Sequence, residues 1–257
     1  MENENKSIHE FDINLICEYF LAIERQGPGS EEATKKALSF ITNLNEKSNI
    51  LDIGCGTGGQ TITIAKNAQG SILGVDLFPD FINKLNENAI KLNLQSRIKG
   101  LVGSMDNLLF NNEEFDLIWS EGAIYNIGFK RGLKEWNRFM KKGGFIAVTE
   151  ASWFTKQRPM EIEQFWMNAY SEIDTIPNKV LQLQESGYIP VASFIIPENC
   201  WTENFYIPQV KAQELFLKKY EGNKTVEDLI ANQKYEAQLY SKYKDYYGYV
   251  FYIGQKI

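Results

Sequence analysis

Ile50-Leu51-Asp52-Ile53-Gly54-Cys55-Gly56-Thr57-Gly58-Gly59 is the most informative stretch of this chain. An apolar run stops at an acid, and glycines then occupy alternate positions 54, 56 and 58. The run before Asp52 reads as a buried strand, because such strands are short, branched and unbroken by polar residues. Glycines after it let the backbone press against a ligand with no Cβ in the way. Gln60 to Lys66 reads as a helix whose free N–H groups point at that turn. Strand, glycine turn and helix together make a nucleotide-sized pocket.

The turn has two readings. Gly54-x-Gly56-x-x-Gly59 matches the dinucleotide fingerprint, which alone is a weak signal. Asp52-x-Gly54-x-Gly56-x-Gly58 resembles motif I of the class I S-adenosylmethionine-dependent methyltransferases. The two differ in charge. A pyrophosphate favours a helix N-terminus with no carboxylate nearby, whereas S-adenosylmethionine carries an ammonium and a sulfonium and welcomes an acid. Asp52 favours the methyl donor.

Further segments extend the resemblance. Ser71 to Asp76 reads as a second strand ending in an acid, about twenty residues past the first glycine, where a carboxylate accepts from ribose hydroxyls. Gly103-Ser104-Met105-Asp106, after a strand over 98–102, resembles the family's adenine-binding loop. Phe115 to Gly122 resembles the fourth strand and the turn facing the methionine part, and Phe139 to Phe145 the turn into the fifth strand, with paired glycines reversing the chain. The resemblance covers roughly residues 30–150 and is similar in kind to the ubiquinone/menaquinone-biosynthesis-type small-molecule enzymes. It implies a Rossmann-like α/β fold: a doubly wound sheet, mostly parallel with an antiparallel last strand, plus a helical lid.

Alternation of strands and helices up to Glu150 independently predicts a parallel sheet covered on both faces. The helices expected there include one over 11–24, one capped by Ser30, one opened by Pro79 and one over 131–140. Beyond Glu150 the spacing predicts helices over 159–170 and 177–186, a strand over 188–196, helices over 208–220 and 225–244, and a tyrosine-rich last strand. The expected organisation is one domain over 1–257, with a cap helix in 1–30 and a helical lid inserted at 151–187.

Composition sets bounds. The chain of 257 residues is 44% hydrophobic and 23% charged, ordinary for a globular protein that buries a core. A net charge of −6 argues against nucleic acid as a partner. Cys17, Cys55 and Cys200 are odd in number and widely spaced, which fits reduced thiols and neither a disulfide frame nor a zinc site. No apolar stretch reaches membrane-spanning length, and Met1-Glu2-Asn3-Glu4-Asn5 is too acidic for a signal peptide. The expectation is a cytoplasmic protein with no membrane partner and no metal.

Carried over residue by residue, the resemblance implies a cofactor site for S-adenosyl-L-methionine. Backbone N–H groups near Gly54, Gly56 and Gly58 face the aminoacyl part, and Asp52 orients that loop or reaches the ammonium through water. Asp76 holds the ribose, Leu77 and Met105 sandwich the adenine, and Ser104 and Asp106 belong to the adenine loop, Asp106 accepting from the amine. Glu121 contributes near the ammonium, and the turn at Gly27 closes over the methionine end.

Methyl transfer is an in-line displacement at a carbon the sulfonium already activates, so the protein's part is alignment and dryness. A base is needed only for an acceptor that holds its proton tightly. His9, the one histidine, together with Tyr125 and Glu150, are the candidates for such a role, with Trp153 and Tyr206 as further cavity candidates. Ser120-Glu121-Gly122-Ala123 stands where an Asn/Asp-Pro-Pro-aromatic tetrapeptide would mark methylation of planar amines on nucleic-acid bases and glutamine. What remains is a small-molecule acceptor, with an aromatic lid suited to an apolar or planar body. The rival reading is a non-catalytic module that keeps the S-adenosylmethionine pocket as a scaffold or sensor; fold alone does not separate the two.

Overall fold

The computed structural model describes residues 10–257. Helix α1 (Ile13–Leu21) starts at Asp12, whose side chain accepts from the Asn14 N–H at 2.8 Å. Helix α2 (Glu31–Leu38) is capped by Ser30, which accepts from the Ala33 N–H at 3.0 Å, with Glu31 and Glu32 favourably placed in the first turn. The alternating part follows as β1 (Asn49–Ile53), α3 (Gly59–Asn67), β2 (Ser71–Asp76), α4 (Pro79–Lys91), β3 (Ile98–Val102), β4 (Phe115–Ser120) and α5 (Phe129–Asn137). Then come β5 (Met140–Trp153), α6 (Met160–Ala169), β6 (Asp174–Thr175), α7 (Ile176–Glu185) and β7 (Tyr188–Ile195). Helices α8 (Ile207–Lys219) and α9 (Lys224–Tyr243) precede β8 (Tyr247–Lys256).

The main sheet runs β3-β2-β1-β4-β5-β8-β7, with the short β6 pairing β5. Strands β1 to β5 are parallel, and β8 enters antiparallel between β5 and β7. This is the expected Rossmann-like, doubly wound sheet with an antiparallel last strand. Strand order reverses between β1 and β4, and at such a switch point the carboxyl ends of the strands open a crevice.

Alternation along β1 sends neighbouring side chains to opposite layers. Ile50 joins a core with Ala37 of α2, Ile64 of α3 and Leu85 of α4. Leu51 and Ile53 join the opposite one, with Leu133 and Trp136 of α5 and Leu183 of α7. A third core is separate: Tyr19 and Phe20 of α1 pack with Phe205, Phe216 of α8 and Leu229 of α9. That cluster is a small helical body seated over the carboxyl ends of the strands.

Strand β5 is longer than the expected 145–149, because it begins at Met140 and is interrupted. Phe115 pairs with Met140 but Leu117 pairs with Phe145, so residues 141–144 bulge out. Gly144 sits at the bulge, where a Cβ would lie 2.9 Å from the Asp116 carbonyl oxygen. The glycine pair thus bends the chain inside the strand instead of before it.

The span 151–187 divides between two jobs. Helix α6 faces the crevice, while α7 lies on the sheet, since its inward residues Leu183 and Lys179 are both buried. Lys179 and Glu150 form an ion pair at 2.7 Å with both side chains 0% exposed. Tyr170 also donates to Glu150 at 2.7 Å, and Lys179 donates to the Glu172 carbonyl at 2.8 Å. The Lys179 ammonium lies 4.7 Å from the centre of the Phe129 ring. Removing one member strands a buried charge, so Lys179→Met is expected to cost about 3–5 kcal/mol in urea denaturation, and Glu150→Leu/Lys179→Met to recover most of the loss.

Candidate active site

A cavity of about 470 Å³ opens at the carboxyl ends of β1, β2 and β4, beneath α1, α6 and α9. Its floor is the turn between β1 and α3. Gly54, Gly56 and Gly58 all have positive φ (74°, 54° and 95°), which a side chain at these positions would strain. At Gly54 a Cβ would also fall 2.3 Å from that of Ala123. Gly54 and Gly56 line the cavity; Gly58 lies behind them, its place tight against Leu85.

The two acids at the strand tips play different parts. Asp76 lines the cavity: its Oδ2 accepts from the Gly56 N–H at 2.9 Å and its Oδ1 from the Phe78 N–H at 3.1 Å. A carboxylate has about four lone-pair positions, so Asp76 keeps capacity for a ligand's hydroxyls. Burial raises its pKa, against the pull of those N–H bonds.

Asp52 is 0% exposed and turned away from the cavity. Its Oδ2 accepts from the Thr61 hydroxyl at 2.6 Å and its Oδ1 from the Gln60 amide at 3.4 Å, tying the end of β1 to the first turn of α3. The reason is parity: Asp52 shares a strand face with Ile50, the face that α3 covers. Of the two roles expected of Asp52, reaching the ammonium is therefore corrected, since Asp76 and Asp106 line the cavity and Asp52 does not; its bonds leave it placed to orient the loop.

Leu77, Ser104, Met105 and Asp106 line one side. Leu77 is 51% exposed, a large apolar side chain at the cavity wall. The Ser104 hydroxyl accepts from the Asp106 N–H at 3.2 Å, and the Asp106 carboxylate, half out in solvent, pairs with Arg131 at 2.8 Å. Glu121 lines the opposite side. Its Oε1 accepts from the Trp119 indole at 2.9 Å and the Thr34 hydroxyl at 2.7 Å, while Oε2 lies 3.5 Å from Arg25.

The segment at Gly27 covers the turn, and the key residue there escaped the sequence reading. The Gln26 amide donates to the carbonyls of Phe20 (3.2 Å) and Ile23 (3.0 Å), and its Oε1 accepts from the Thr57 N–H at 3.0 Å. A Cβ at Gly56 would lie 2.3 Å from that oxygen. Gln26 thus staples the end of α1 to the glycine turn. The signal available was its place beside the Gly27-Pro28-Gly29 turn.

The far half of the cavity is aromatic: Tyr125, Phe165, Trp166, Tyr170, Trp201 and Tyr249. Burial, with the nearby Glu236 charge, pushes the Tyr125 hydroxyl up to about 12. Glu150 is held by Lys179 outside the cavity-lining set, and His9 lies outside the described residues. Trp153 and Tyr206 are also absent from the lining. Glu236, which the sequence reading missed, projects from α9 into this half and accepts from the Tyr206 hydroxyl at 3.0 Å. Its signal was an acid interrupting the buried stripe Leu229, Gln233, Tyr240 at helical spacing.

A glycine turn at a switch point, a carboxylate with spare acceptor capacity beside it and an apolar wall make this cavity the candidate ligand site of an α/β domain. Residues 50–144 match the family described as "Methyltransferase domain". A phosphoethanolamine N-methyltransferase of Plasmodium falciparum is 31% identical over 144 residues, covering 52% of this chain and 50% of that protein. The demethylmenaquinone methyltransferase of Bacillus subtilis is 33% identical over 115 residues, 44% of this chain and 49% of that protein. The chain thus spans half the length or less of these relatives. In structure it resembles a SAM-dependent methyltransferase from Geobacter sulfurreducens solved with S-adenosyl-L-homocysteine, with a TM-score of 0.81 at 17% identity over 96% of this chain and 99% of that one. Residues 50–144 are thus the part of the chain that is similar to a methyltransferase domain, and the whole chain shares that neighbour's fold.

Burial pushes the Asp52 carboxyl up to about 7, against the Thr61 hydrogen bond. The folded chain then holds a proton that the unfolded chain, at the ordinary aspartate value of about 3.9, has shed. Stability from this group is greatest below that value and falls as pH rises through the folded value. Asp52→Asn removes the effect, so its urea midpoint should fall less than wild type's between about pH 5 and about pH 7. Equal slopes would show that Asp52 is ionised in the folded chain throughout.

Proposed function

We propose that this chain transfers a methyl group from S-adenosyl-L-methionine to a small molecule. The observation that carries the reading is the Asp76 carboxylate: it is tied to Gly56 of the turn yet still faces a cavity walled by Leu77 and Met105. In that cavity Asp76 takes the ribose hydroxyls, Leu77 and Met105 flank the adenine, and Ser104 and Asp106 border it. The backbone of the turn at Gly54 and Gly56 borders the aminoacyl end by close approach and not by its N–H groups, which are given to the Val75 carbonyl (2.8 Å) and to Asp76 (2.9 Å), with Gly58 and Asp52 fixing the turn from behind. Gly27 and Glu121 close the methionine side, where Gln26 holds the cover down.

Bound there, the donor supplies an electrophilic methyl carbon; the acceptor–carbon bond forms as the sulfur–carbon bond breaks, sulfur keeping the electron pair and the acceptor shedding a proton. The chain's own residues align the acceptor and keep out water, the aromatic half providing the dry wall. A non-catalytic binding module would need only the glycine-turn half. The continuation of the cavity past Tyr125 to Trp166 and Trp201 favours the enzyme.

No helix among the described residues is long and apolar enough to cross a membrane. Cys17, Cys55 and Cys200 are unpaired and buried, which supports reading the protein as cytoplasmic. The net charge of −6 supports a small molecule over nucleic acid as partner.

Calorimetry is expected to show S-adenosyl-L-methionine and S-adenosyl-L-homocysteine binding in the micromolar range. Asp76→Ala, which loses two hydrogen bonds to the ribose, should weaken both by about 30-fold, roughly 2 kcal/mol, with the far-ultraviolet circular dichroism unchanged. Unchanged affinity in a folded variant would place the ribose elsewhere.

A further inference from the structure

Among the described residues four acids line the cavity, and three of them are held by a cation or by backbone N–H groups. Asp76 is held by backbone N–H groups, Asp106 by Arg131, and Glu121 by Arg25, Thr34 and Trp119. Glu236 has the Tyr206 hydroxyl and, among the described residues, no cation. Arg25, the one lysine or arginine among the described lining residues, is already engaged by Glu121.

Glu236 does not stand alone on its helix. Asn232 and Gln233 precede it by four and three residues, so they share its face of α9, and both line the cavity. Neither amide has a hydrogen-bond partner among the described residues. This part-buried helix face opposes rings across the cavity yet presents an acid and two amides, polar groups that cost free energy when a ligand covers them unless it supplies partners. Such a face is good recognition, because a ligand can supply those partners.

The surroundings define the ligand's charge. Trp201 and Tyr249 meet edge to face at 4.8 Å, and Tyr125 and Tyr170 at 5.9 Å, so ring faces and edges line the approach to Glu236. Aromatic rings and an uncompensated carboxylate both favour a cation, the rings through their quadrupoles. Burial pushes Glu236 up to about 7, the cost of a carboxylate that no positive group offsets. A bound cation would relieve that cost.

We propose that the α9 face carrying Asn232, Gln233 and Glu236 recognises the methyl acceptor, and that the acceptor it fits is an organic amine, a protonated nitrogen on an apolar or planar body. This rests on the methyltransferase reading, since it assigns the half of the same cavity that the methyl donor leaves free. Glu236 anchors the ammonium, the Asn232 and Gln233 amides meet neighbouring polar atoms, and the rings cover the body. The anchor fixes where the accepting atom sits relative to the glycine turn; it is a binding role, and no proton transfer is assigned to it.

The test uses two probes of equal shape and different charge, 2-phenylethylamine and 2-phenylethanol, titrated by calorimetry into the full chain saturated with S-adenosyl-L-homocysteine. The amine is expected to bind at least about ten-fold tighter than the alcohol. Glu236→Gln should erase that preference while its affinity for S-adenosyl-L-homocysteine, measured on the same sample as the check on folding, stays unchanged. Asn232→Ala, which keeps the carboxylate, should keep the preference. Equal binding of the two probes, a preference that survives Glu236→Gln, or no heat from either probe while S-adenosyl-L-homocysteine binds would overturn the proposal. Failure of wild type to bind S-adenosyl-L-homocysteine would instead remove the methyltransferase reading beneath it.

Discussion

The bond from the Gly56 N–H to Asp76 Oδ2, 2.9 Å long, joins the turn after β1 to the tip of β2, and the shape of the cavity depends on it. Parallel strands place the two tips side by side, and the carboxylate then sets the height of the turn. Behind the turn Asp52 holds α3 through Thr61 and Gln60. In front, Gln26 caps the Thr57 N–H. A loop of small residues has little stiffness of its own. Here it is fixed from three sides by polar side chains, which leaves the cavity-facing backbone at Gly54 in one shape.

The covering body over the strands has a core of its own. Tyr19 is fully buried between α1 and α8, its hydroxyl donating to Gln209 at 2.7 Å and accepting from Gln213 at 3.3 Å. Polar contacts join this body to the sheet around the site: Gln26 to Thr57, Arg25 to Glu121, and Asn204 to the Gly29 carbonyl at 3.0 Å. The same residues that shape the glycine-turn half of the cavity therefore carry the cover. Glycine turn and roof are joined by these contacts, and the aromatic half of the cavity lies between them.

Much of this was legible in the sequence because it depends on local rules. An unbroken apolar run marks β1, period-3.6 patterning marks α4, Ser30 marks a cap, and Gly54, Gly56 and Gly58 mark left-handed backbone. What was misjudged depends on non-local geometry. Asp52 was assigned with Asp76 to one cleft, although its parity with Ile50 directs it to α3. Residues 151–187 were read as one lid, yet α7 covers the sheet and residues 197–243 supply much of the roof, because a buried stripe does not say which surface it meets. Gln26 and Glu236 act across separations of 31 and 30 residues, to Thr57 and Tyr206. No pattern within a single element announces such pairs.

Hydrogen–deuterium exchange with and without S-adenosyl-L-homocysteine tests most directly whether turn, strand tip and cover form one donor site. Amides of residues 20–28, 54–60 and 76–78 should gain protection together on ligand binding, with the bottom edge of the sheet at residues 95–98 unchanged. Binding that leaves those three segments exchanging as in the free protein, or that protects a different surface, would contradict the account.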